Sequence, residues 1–321
     1  MVSNICKGSQ ENYRGTMKKK KLDTLVDDIY SKLSVLGEGK QLDVSEKDLD
    51  ELGESIKTAL KNWAHPEPRN STETLRMSNI GRPTRQLWYD LNSEESNIPI
   101  SPPTFIKFLY GHILEEVVLF LVRLAGHKVD DEQRNVSVKG VKGHMDCTID
   151  GEVVDVKTAS GYAFKKFRDG TLAEQDTFGY MSQLASYEEA MGTNSGGFLA
   201  LNKETGELAL FIPEELDKPN IKTKISKVRK ALKSSEPPEK CYDPIPDGVS
   251  GNMKLPRECF YCRHKYECHQ DTNEGNGLRI FQYAKGLAYF TTVVKEPKVK
   301  ELTNEWKKGK KNKKTRKSTG A

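Results

Sequence analysis

The sequence contains no long apolar run. No segment approaches the roughly 18 consecutive apolar residues that a membrane-spanning helix needs, and the N-terminal segment MVSNICKGSQENYRG lacks the apolar stretch of a secretory signal. Hydrophobic residues make up 36% of the 321 residues, which is on the low side but enough for a core. We therefore expect a soluble, cytoplasmic protein with no membrane partner, built as one large domain or two small ones.

A phosphate-binding loop is also missing. The segment Gly37-Glu38-Gly39-Lys40 has neither the first glycine of that motif nor the Ser or Thr that follows its lysine, so no nucleotide-hydrolysing motor is indicated. Disulfides are rare inside cells. The six cysteines are therefore better explained as ligands of a metal or cluster, or as core residues.

Basic residues are unevenly distributed along a chain of net charge +5. The C-terminal segment 307–317, KKGKKNKKTRK, holds eight basic residues in eleven, and a shorter run lies at 18–21. A block of like charges repels itself and is predicted to be disordered. It fits an arm that binds nucleic acid without regard to sequence, although a solubilising tail has the same composition.

Two amphipathic helices are predicted near the N-terminus. Residues 22–36 carry apolar side chains at helical spacing, and Ser45 is a candidate N-cap for a second pattern of this kind. The segment 65–71, HPEPRNS, indicates a linker. We interpret residues 1–70 as a helical appendage that serves for packing or for binding a partner.

A long helix is predicted over about 104–125, with Glu115 and Glu116 in its middle and Gly126 as a candidate C-cap. Neighbouring residues on a helix point about 100° apart, so only one of the two glutamates can face a given site. A second helix near 176–191 carries Gln183 and Tyr187 four residues apart, hence on one face. Strands are predicted at about 134–140, 142–149, 152–158, 196–202 and 207–212.

The segment 143–158 is the most informative part of the chain. It reads as two short strands joined by Asp150-Gly151, and an Asp-Gly pair between alternating runs is among the strongest hairpin signals, because a type I′ turn needs positive φ at both central positions. With a two-residue loop, Ile149 faces Glu152, and this register extends along both strands.

The predicted register sets Asp146 opposite Asp155 and His144 opposite Lys157. Period-two alternation then puts Asp146, Asp155 and Lys157 on one face of the sheet. The opposite face is apolar and consists of Met145, Cys147, Ile149, Val154 and Val156.

Two carboxylates that face each other across a ladder have Cβ atoms about 4.5–5.5 Å apart and repel one another. A divalent cation offsets that repulsion, and hard oxygen ligands suit Mg²⁺ or Mn²⁺. A solvated hairpin with scattered charges is the simpler alternative. The apolar opposite face and the polar groups on the flanking helices favour the metal site.

The order of these elements and residues resembles the PD-(D/E)XK nuclease superfamily, in its RecB-like exonuclease branch. An isolated Asp-x-Lys is common by chance, whereas four pieces in the right order are far more specific. The resemblance covers about residues 76–270 and implies an α/β fold, a restriction-endonuclease-like core whose mixed central sheet is flanked by helices. The four pieces are Gly111-x-x-x-Glu115, Gly143-His144-Met145-Asp146, Asp155-Val156-Lys157-Thr158 and Gln183-x-x-x-Tyr187.

The resemblance implies metal-dependent hydrolysis of phosphodiester bonds in DNA. Lys157 would hold the attacking water near the phosphate and stabilise developing charge, while Gln183 and Tyr187 would orient the lysine or the DNA backbone. The Gly-x-x-x-Glu spacing selects Glu115 over Glu116. The ligands implied for Mg²⁺ or Mn²⁺ are Glu115, Asp146, Asp155 and the carbonyl of Val156.

Four of the cysteines lie within 28 residues, in the order Cys241, Cys259, Cys262 and Cys268. A cluster of this density in an intracellular chain predicts one tetrathiolate site. The loop between the first two is rich in Pro and Gly and has little core of its own, so a metal centre would supply its order. Zinc is the default metal for such a site on chemistry alone.

The resemblance favours a [4Fe–4S] cluster instead, because iron–sulfur nucleases of the RecB-like branch, of the AddB and CRISPR-associated types, end in Cys-x2-Cys-x5-Cys. Their fourth cysteine lies upstream, beside an arginine at the start of the domain. Here that place is Arg82-Pro83-Thr84-Arg85, without a cysteine, and Cys241 would have to substitute. His264 and His269 are candidate zinc ligands if one of the cysteines is not used.

The sequence thus predicts a DNA exonuclease that acts on single strands or ends. Compact nucleases of this branch are common in phage genomes, which implies a phage role in recombination, replication or DNA degradation, with proteins of those processes as partners. A structure-specific endonuclease and a non-catalytic nucleic-acid-binding protein with a metal-cluster module stay open. The predicted divisions are 1–70 (helical appendage), 71–235 (nuclease core), 236–275 (four-cysteine segment) and 276–321 (extension with a basic tail).

Overall fold

The computed structural model describes residues 20–66, 75–93 and 101–304. Cys6 and the basic tail at 307–317 lie outside the described residues. The described helices are α1 (Leu25–Gly37), α2 (Glu46–Ala64), α3 (Thr84–Asn92), α4 (Pro102–Leu124), α5 (Gly161–Arg168), α6 (Tyr180–Met191), α7 (Ile221–Leu232), α8 (Arg257–Phe260) and α9 (Lys265–Cys268). No helix in these ranges combines the length and apolarity needed to cross a membrane.

The strands form three sheets. Five of them make a central sheet in the order β1-β4-β5-β6-β7, β10-β11-β9-β8 make a second sheet, and β2 pairs only with β3 within the described residues. The described strands are β1 (Val129–Asp130), β2 (Arg134–Val138), β3 (Val141–Met145), β4 (Cys147–Ile149), β5 (Glu152–Ala159), β6 (Gly197–Asn202), β7 (Leu208–Phe211), β8 (Ile245–Pro246), β9 (Met253–Lys254), β10 (Arg279–Tyr283) and β11 (Gly286–Thr292).

The central sheet is mixed. Strands β5 and β6 run parallel, and the other neighbouring pairs are antiparallel. A parallel pair needs a crossover connection, which α5 and α6 supply. Helices α1 and α4 contribute to the core on one face and α5, α6 and α7 to the core on the other. The α/β class with a mixed sheet flanked by helices is therefore confirmed.

The predicted turn of the β4–β5 hairpin is confirmed. Ile149 pairs with Glu152, and Cys147 pairs with Val154. Asp150 and Gly151 have φ values of 54° and 97°, both in the left-handed region that a type I′ turn requires.

The strand predicted over 142–149 is interrupted at Asp146. Its first half, β3, leaves the central sheet and pairs with β2, so that His144 lies opposite Asn135. The predicted pairing of His144 with Lys157 is therefore wrong. The β4–β5 ladder ends at Cys147, so Asp146 and Asp155 are not a ladder pair either, although their carboxylates still interact.

The same break moves Met145 to the opposite face from the one predicted. Cys147 and Val154 pack in the core with α1 and α4, as the alternation predicts, whereas Met145 packs in the core with α6 and α7. A one-residue irregularity in a strand reverses which side chains face each side. Alternation counted through Asp146 therefore gave the wrong face for the residue before it.

Helix α1 shares the core of the central sheet. Leu25 and Ile29 are fully buried, in one apolar cluster with Val118 of α4 and Leu199 of β6. The sequence placed this helix in an appendage, but its apolar stripe covers the sheet. The boundary at residue 70 stays a prediction.

Helix α2 is attached differently. It begins with the predicted cap, because the Ser45 side chain accepts a hydrogen bond from the Asp48 amide and Asp48 bonds back to the Ser45 amide. No side chain of this helix is fully buried. It lies against α4, and the Trp63 indole donates to the Phe105 carbonyl over 3.0 Å.

The C-terminal region contains a sheet that sequence reasoning missed. Strands β8 and β9 lie inside the loop between Cys241 and Cys259, and β10 and β11 follow the last cysteine. Their own apolar cluster includes Leu255, Ile280 and Tyr289. The loop itself contributes one buried residue, Leu255, to this cluster, so it has little core of its own, as expected. The alternation of apolar residues in 278–292 was the sequence signal that could have predicted β10 and β11.

Candidate active site

Strand β5 carries two side chains of opposite charge on one face. Asp155 is completely buried, and the Lys157 ammonium forms a close ion pair with its Oδ2 atom. Burial disfavours the charged amine, but the carboxylates of Asp155 and Asp146 outweigh it and raise the pKa of Lys157 above its usual range. Lys157 is therefore a permanent cation at physiological pH.

Asp146 occupies the break between β3 and β4. Its Oδ2 accepts a hydrogen bond from the Val156 amide over 2.8 Å, which fixes the carboxyl group beside β5. Burial, together with the charge of Asp155, raises the pKa of Asp146 to about 7. The Asp146 carboxyl therefore holds its proton to a higher pH than an exposed aspartate, because its negative charge is not fully compensated at the site.

Glu115 reaches the same site from α4. The Gln133 amide donates to its Oε1 over 2.8 Å. Burial, with the charge of Asp146 next in importance, raises the pKa of Glu115 to about 9. Glu116 points elsewhere: it lines a cavity of about 300 Å³ between α2 and α4, where it interacts with Ser55. The structure thus brings Glu115, and not Glu116, to the aspartates.

The start of α6 is fixed by a carboxylate that sequence reasoning did not single out. Asp176 accepts hydrogen bonds from the amides of Gly179, Tyr180 and Met181 over 2.7–2.9 Å. Gly179 has φ +83°, and a Cβ there would lie 2.4 Å from the backbone of Gly81. The helix therefore begins at Tyr180, later than predicted, and its position depends on this glycine contact.

Helix α6 places its polar pair against β5, as predicted. The Gln183 amide donates to Asp155 Oδ1 over 3.1 Å and to the Tyr187 hydroxyl over 3.2 Å. The Tyr187 hydroxyl in turn donates to the His144 carbonyl over 2.7 Å. This chain of hydrogen bonds fixes the orientation of Asp155 relative to β3 and α6.

Two aromatic residues at the site were missed by sequence reasoning. The Lys157 ammonium lies 5.0 Å from the centroid of the Tyr180 ring, within the range of a cation–π contact. The Phe178 ring stacks on Tyr180 with a centroid distance of 5.6 Å. The signal in the sequence was the two aromatic residues at positions 178 and 180, shortly before Gln183.

The donor atoms at this site suit a hard cation. Three carboxyl groups, those of Glu115, Asp146 and Asp155, interact repulsively, and oxygen-only donors are the ligands of Mg²⁺ and Mn²⁺. Lys157 already pairs with Asp155. Across the described residues, no three His, Cys, Asp or Glu side chains stand in an arrangement that could hold a metal ion. The three carboxyl groups therefore fit a divalent cation in the chemistry of their oxygen atoms and in their charge, and not in a preassembled geometry.

The four clustered cysteines converge on one cavity of about 60 Å³ beside α3. Burial, followed by the charges of Cys262, Cys268 and Cys241, raises the pKa of Cys259 to about 12. Thiols in such a setting become thiolates when a bound cation stabilises the charge. These cysteines belong to the described residues, and they too are not arranged as a preassembled metal site.

Helix α3 borders this cavity. The Arg85 guanidinium donates to the sulfur of Cys268 over 3.1 Å and to the Pro238 carbonyl. Two imidazoles also line the cavity, those of His264 and His269, and neither Nδ1 atom has a hydrogen-bond partner within the described structure. Burial lowers the pKa of His269 to about 4, so its ring is neutral and able to bind a metal.

Comparisons with known proteins do not assign a family. No protein-family model matches the chain, and no curated protein matches it. Among solved structures, it is similar to the protein described as SSO0001, at 16% identity and a TM-score of 0.35 over 66% of this chain and 91% of the other. It is also similar to the alkaline exonuclease LHK-Exo from Laribacter hongkongensis, at 12% identity and a TM-score of 0.30 over 48% of this chain and 89% of that one.

Proposed function

We propose that this protein is a divalent-metal-dependent deoxyribonuclease of the RecB-like PD-(D/E)XK type, acting as an exonuclease on single-stranded DNA or DNA ends. The observation that supports it most is the buried pair of Asp155 and Lys157, with Asp146 and Glu115 directed at the same place. A purely structural ion pair does not need two further carboxyl groups that repel Asp155 and each other.

Each side chain has a defined task in this proposal. Mg²⁺ or Mn²⁺, when bound, would supply polarisation of the phosphoryl oxygen and a lowered pKa of water. Lys157 supports negative charge on the phosphate as it develops. The residues that would hold the metal are Glu115, Asp146, Asp155 and the carbonyl of Val156.

Gln183 and Tyr187 act as positioning residues. Gln183 holds one oxygen of Asp155 and Lys157 pairs with the other, so the carboxylate cannot rotate. Side chains that orient a ligand typically contribute about 10- to 100-fold to metal affinity or activity. Their contribution here is the fixed geometry of Asp155.

For the cysteine cavity we propose a [4Fe–4S] cluster held by Cys241, Cys259, Cys262 and Cys268. It would be structural, since the cavity joins α3 to the C-terminal sheet region. Zinc is the second candidate, and the two imidazole nitrogens without partners favour it.

The cellular role follows by analogy alone. Nucleases of this branch serve phage recombination, replication or host-DNA degradation, with proteins of those processes as partners. We propose one of these roles for this chain.

The test is a cleavage assay on end-labelled linear, duplex and closed circular single-stranded DNA, with Mg²⁺, Mn²⁺ or EDTA. We expect shortening of linear single strands that needs metal, and its loss in Lys157→Met. Cleavage of closed circles would indicate an endonuclease. Salt-dependent DNA binding without cleavage in any metal would indicate a binding protein and contradict the proposal.

A matched control separates catalysis from stability. Lys218, which follows β7 in the chain, forms a buried ion pair over 2.7 Å with Glu188 in the second half of α6. Lys218→Met therefore also removes a buried ion pair but should leave cleavage per folded molecule unchanged. Equal loss of activity in both variants would show that Lys157 has only a structural role.

A further inference from the structure

Two aromatic side chains beside the candidate active site are largely exposed. Phe178 has 62% of its surface accessible and Tyr162 has 59%. Tyr162 lies at the start of α5, directly after the strand that carries Lys157. Exposed aromatic rings next to a charged site are characteristic of surfaces that bind a ligand.

Phe178 connects the solvent to the catalytic lysine through one other ring. One face of Phe178 stacks on Tyr180, and Tyr180 lies under the Lys157 ammonium. Tyr180 therefore contacts both the exposed ring and the buried cation. A planar group placed on Phe178 would lie two rings away from Lys157.

Tyr162 is bordered by cations. The Arg257 guanidinium lies 4.5 Å from the centroid of its ring, and the Lys166 ammonium lies 5.8 Å from it. Lys166 also donates to the Gln175 carbonyl over 2.9 Å, in the segment that leads to Phe178. Arg257 is contributed by α8, next to Cys259 and its neighbours in the four-cysteine segment.

We propose that Phe178 and Tyr162 form a stacking surface for the bases of single-stranded nucleic acid, with Arg257 and Lys166 contacting its phosphates. Exposed planar rings with cations beside them match the bases and phosphates of a single strand. In a duplex the bases are stacked on each other and their faces are unavailable. The inference rests on the proposed nuclease function and assigns single strands as the substrate that this surface guides to Lys157.

The test measures binding without cleavage. A fluorescent single-stranded oligonucleotide is titrated in EDTA at fixed salt against wild type, Phe178→Leu and Phe178→Tyr. Leucine keeps much of the apolar area but has no flat ring, whereas tyrosine keeps the ring. Because the side chain is exposed, both variants should fold.

We expect Phe178→Leu to weaken single-strand binding about tenfold, the effect of losing one base–aromatic stack. Phe178→Tyr should bind like wild type, and binding of a blunt duplex should change less than about twofold in all variants. Tyr162→Leu should also weaken single-strand binding. In a strand with one 2-aminopurine, the fluorescence quenching on binding should be smaller in Phe178→Leu.

The inference would be overturned if the leucine and tyrosine variants bound single strands with equal affinity. It would also be overturned if Phe178→Leu weakened duplex binding as much as single-strand binding. A protein partner for this surface would give the first of these results. The outcome is independent of catalysis. If wild type cleaves DNA but the Phe178 variants bind single strands like wild type, only the stacking surface is rejected. If Phe178→Leu weakens single-strand binding but wild type cleaves in no metal, only the nuclease function is rejected.

Discussion

The side chain of Asp146 takes the place of a strand partner for Val156. Its Oδ2 accepts the Val156 amide hydrogen over 2.8 Å, at the point where the β4–β5 ladder ends. One hydrogen bond thus satisfies a buried backbone donor, allows β3 to leave the central sheet, and holds a carboxyl group beside Asp155.

Replacement of Asp146 should separate its role as a hydrogen-bond acceptor from its role as a negative charge. Asp146→Asn keeps an oxygen that accepts from the Val156 amide but removes the negative charge, so we expect a folded protein whose cleavage rate falls by at least about 100-fold. Asp146→Ala should lose activity and also about 1–3 kcal/mol of stability, because the Val156 amide is left unsatisfied. Urea unfolding and single-turnover cleavage measure the two effects. Equal stability of the two variants would contradict this account of the hydrogen bond.

Gln183 should affect turnover more than substrate binding. Gln183→Leu removes the hydrogen bond to Asp155 Oδ1 and should lower kcat about 10- to 100-fold, with little change in KM for DNA. Ser186→Ala is the matched control, since Ser186 lies on the same helix and its hydroxyl donates to the Ser182 carbonyl. A rise in KM without a fall in kcat would argue against a positioning role.

Gly179 should tolerate no side chain. Gly179→Ala adds a Cβ 2.4 Å from the Gly81 backbone and also strains a φ of +83°, so we expect a loss of more than about 3 kcal/mol of stability. Gly170 has φ +71° but open space around it, and Gly170→Ala should cost only about 1–2 kcal/mol. Thermal unfolding compares them, and similar costs would show that the glycine contact is unimportant.

The attachment of α1 should weaken in acid. Hydrogen bonds from Lys20 and Thr24 lower the pKa of Asp28 from its usual 3.8 to about 2, and Asp28 also contacts the buried His127 ring. A depressed pKa stabilises the folded state above the unfolded value and loses that effect as the pH falls, here between about pH 4 and pH 2.

The contribution of Asp28 to this pH effect can be isolated by comparing the free energies of unfolding of wild type and a variant. The stability of wild type minus that of Asp28→Asn should shrink as the pH is lowered through this range, whereas Asp27→Asn, an exposed carboxylate one residue earlier, should show a smaller change. Hydrogen exchange of α1 amides gives the local readout. A difference independent of pH would contradict the predicted titration.

The cysteine cavity should hold iron and sulfur. Anaerobically purified protein should be brown with visible absorbance, and Cys259→Ser should lose the colour together with much of its stability. Cys147→Ala is the control, because Cys147 is a buried core residue on β4, so the colour should remain. A colourless protein with one zinc per chain, lost in His269→Ala, would support the zinc alternative instead.

Local patterns predicted much of the candidate site. The Asp-Gly turn fixed the register from Cys147 to Val154, because two left-handed residues leave one geometry for a two-residue loop. Helical spacing placed Gln183 and Tyr187 on one face. The break at Asp146 was not predictable, since it depends on a side chain competing with a strand for the same amide.

The sequence by itself determined which residue types could meet, through the hairpin register, the helix faces and the spacing of the cysteines. The tertiary structure decided which of them do. It directed Glu115 rather than Glu116 to the aspartates, buried α1 against the sheet, brought Arg85 to Cys268, and stacked Phe178 and Tyr180 beside Lys157. These contacts join residues far apart in the chain or across a turn, and their geometry depends on how whole elements pack, which no local spacing specifies.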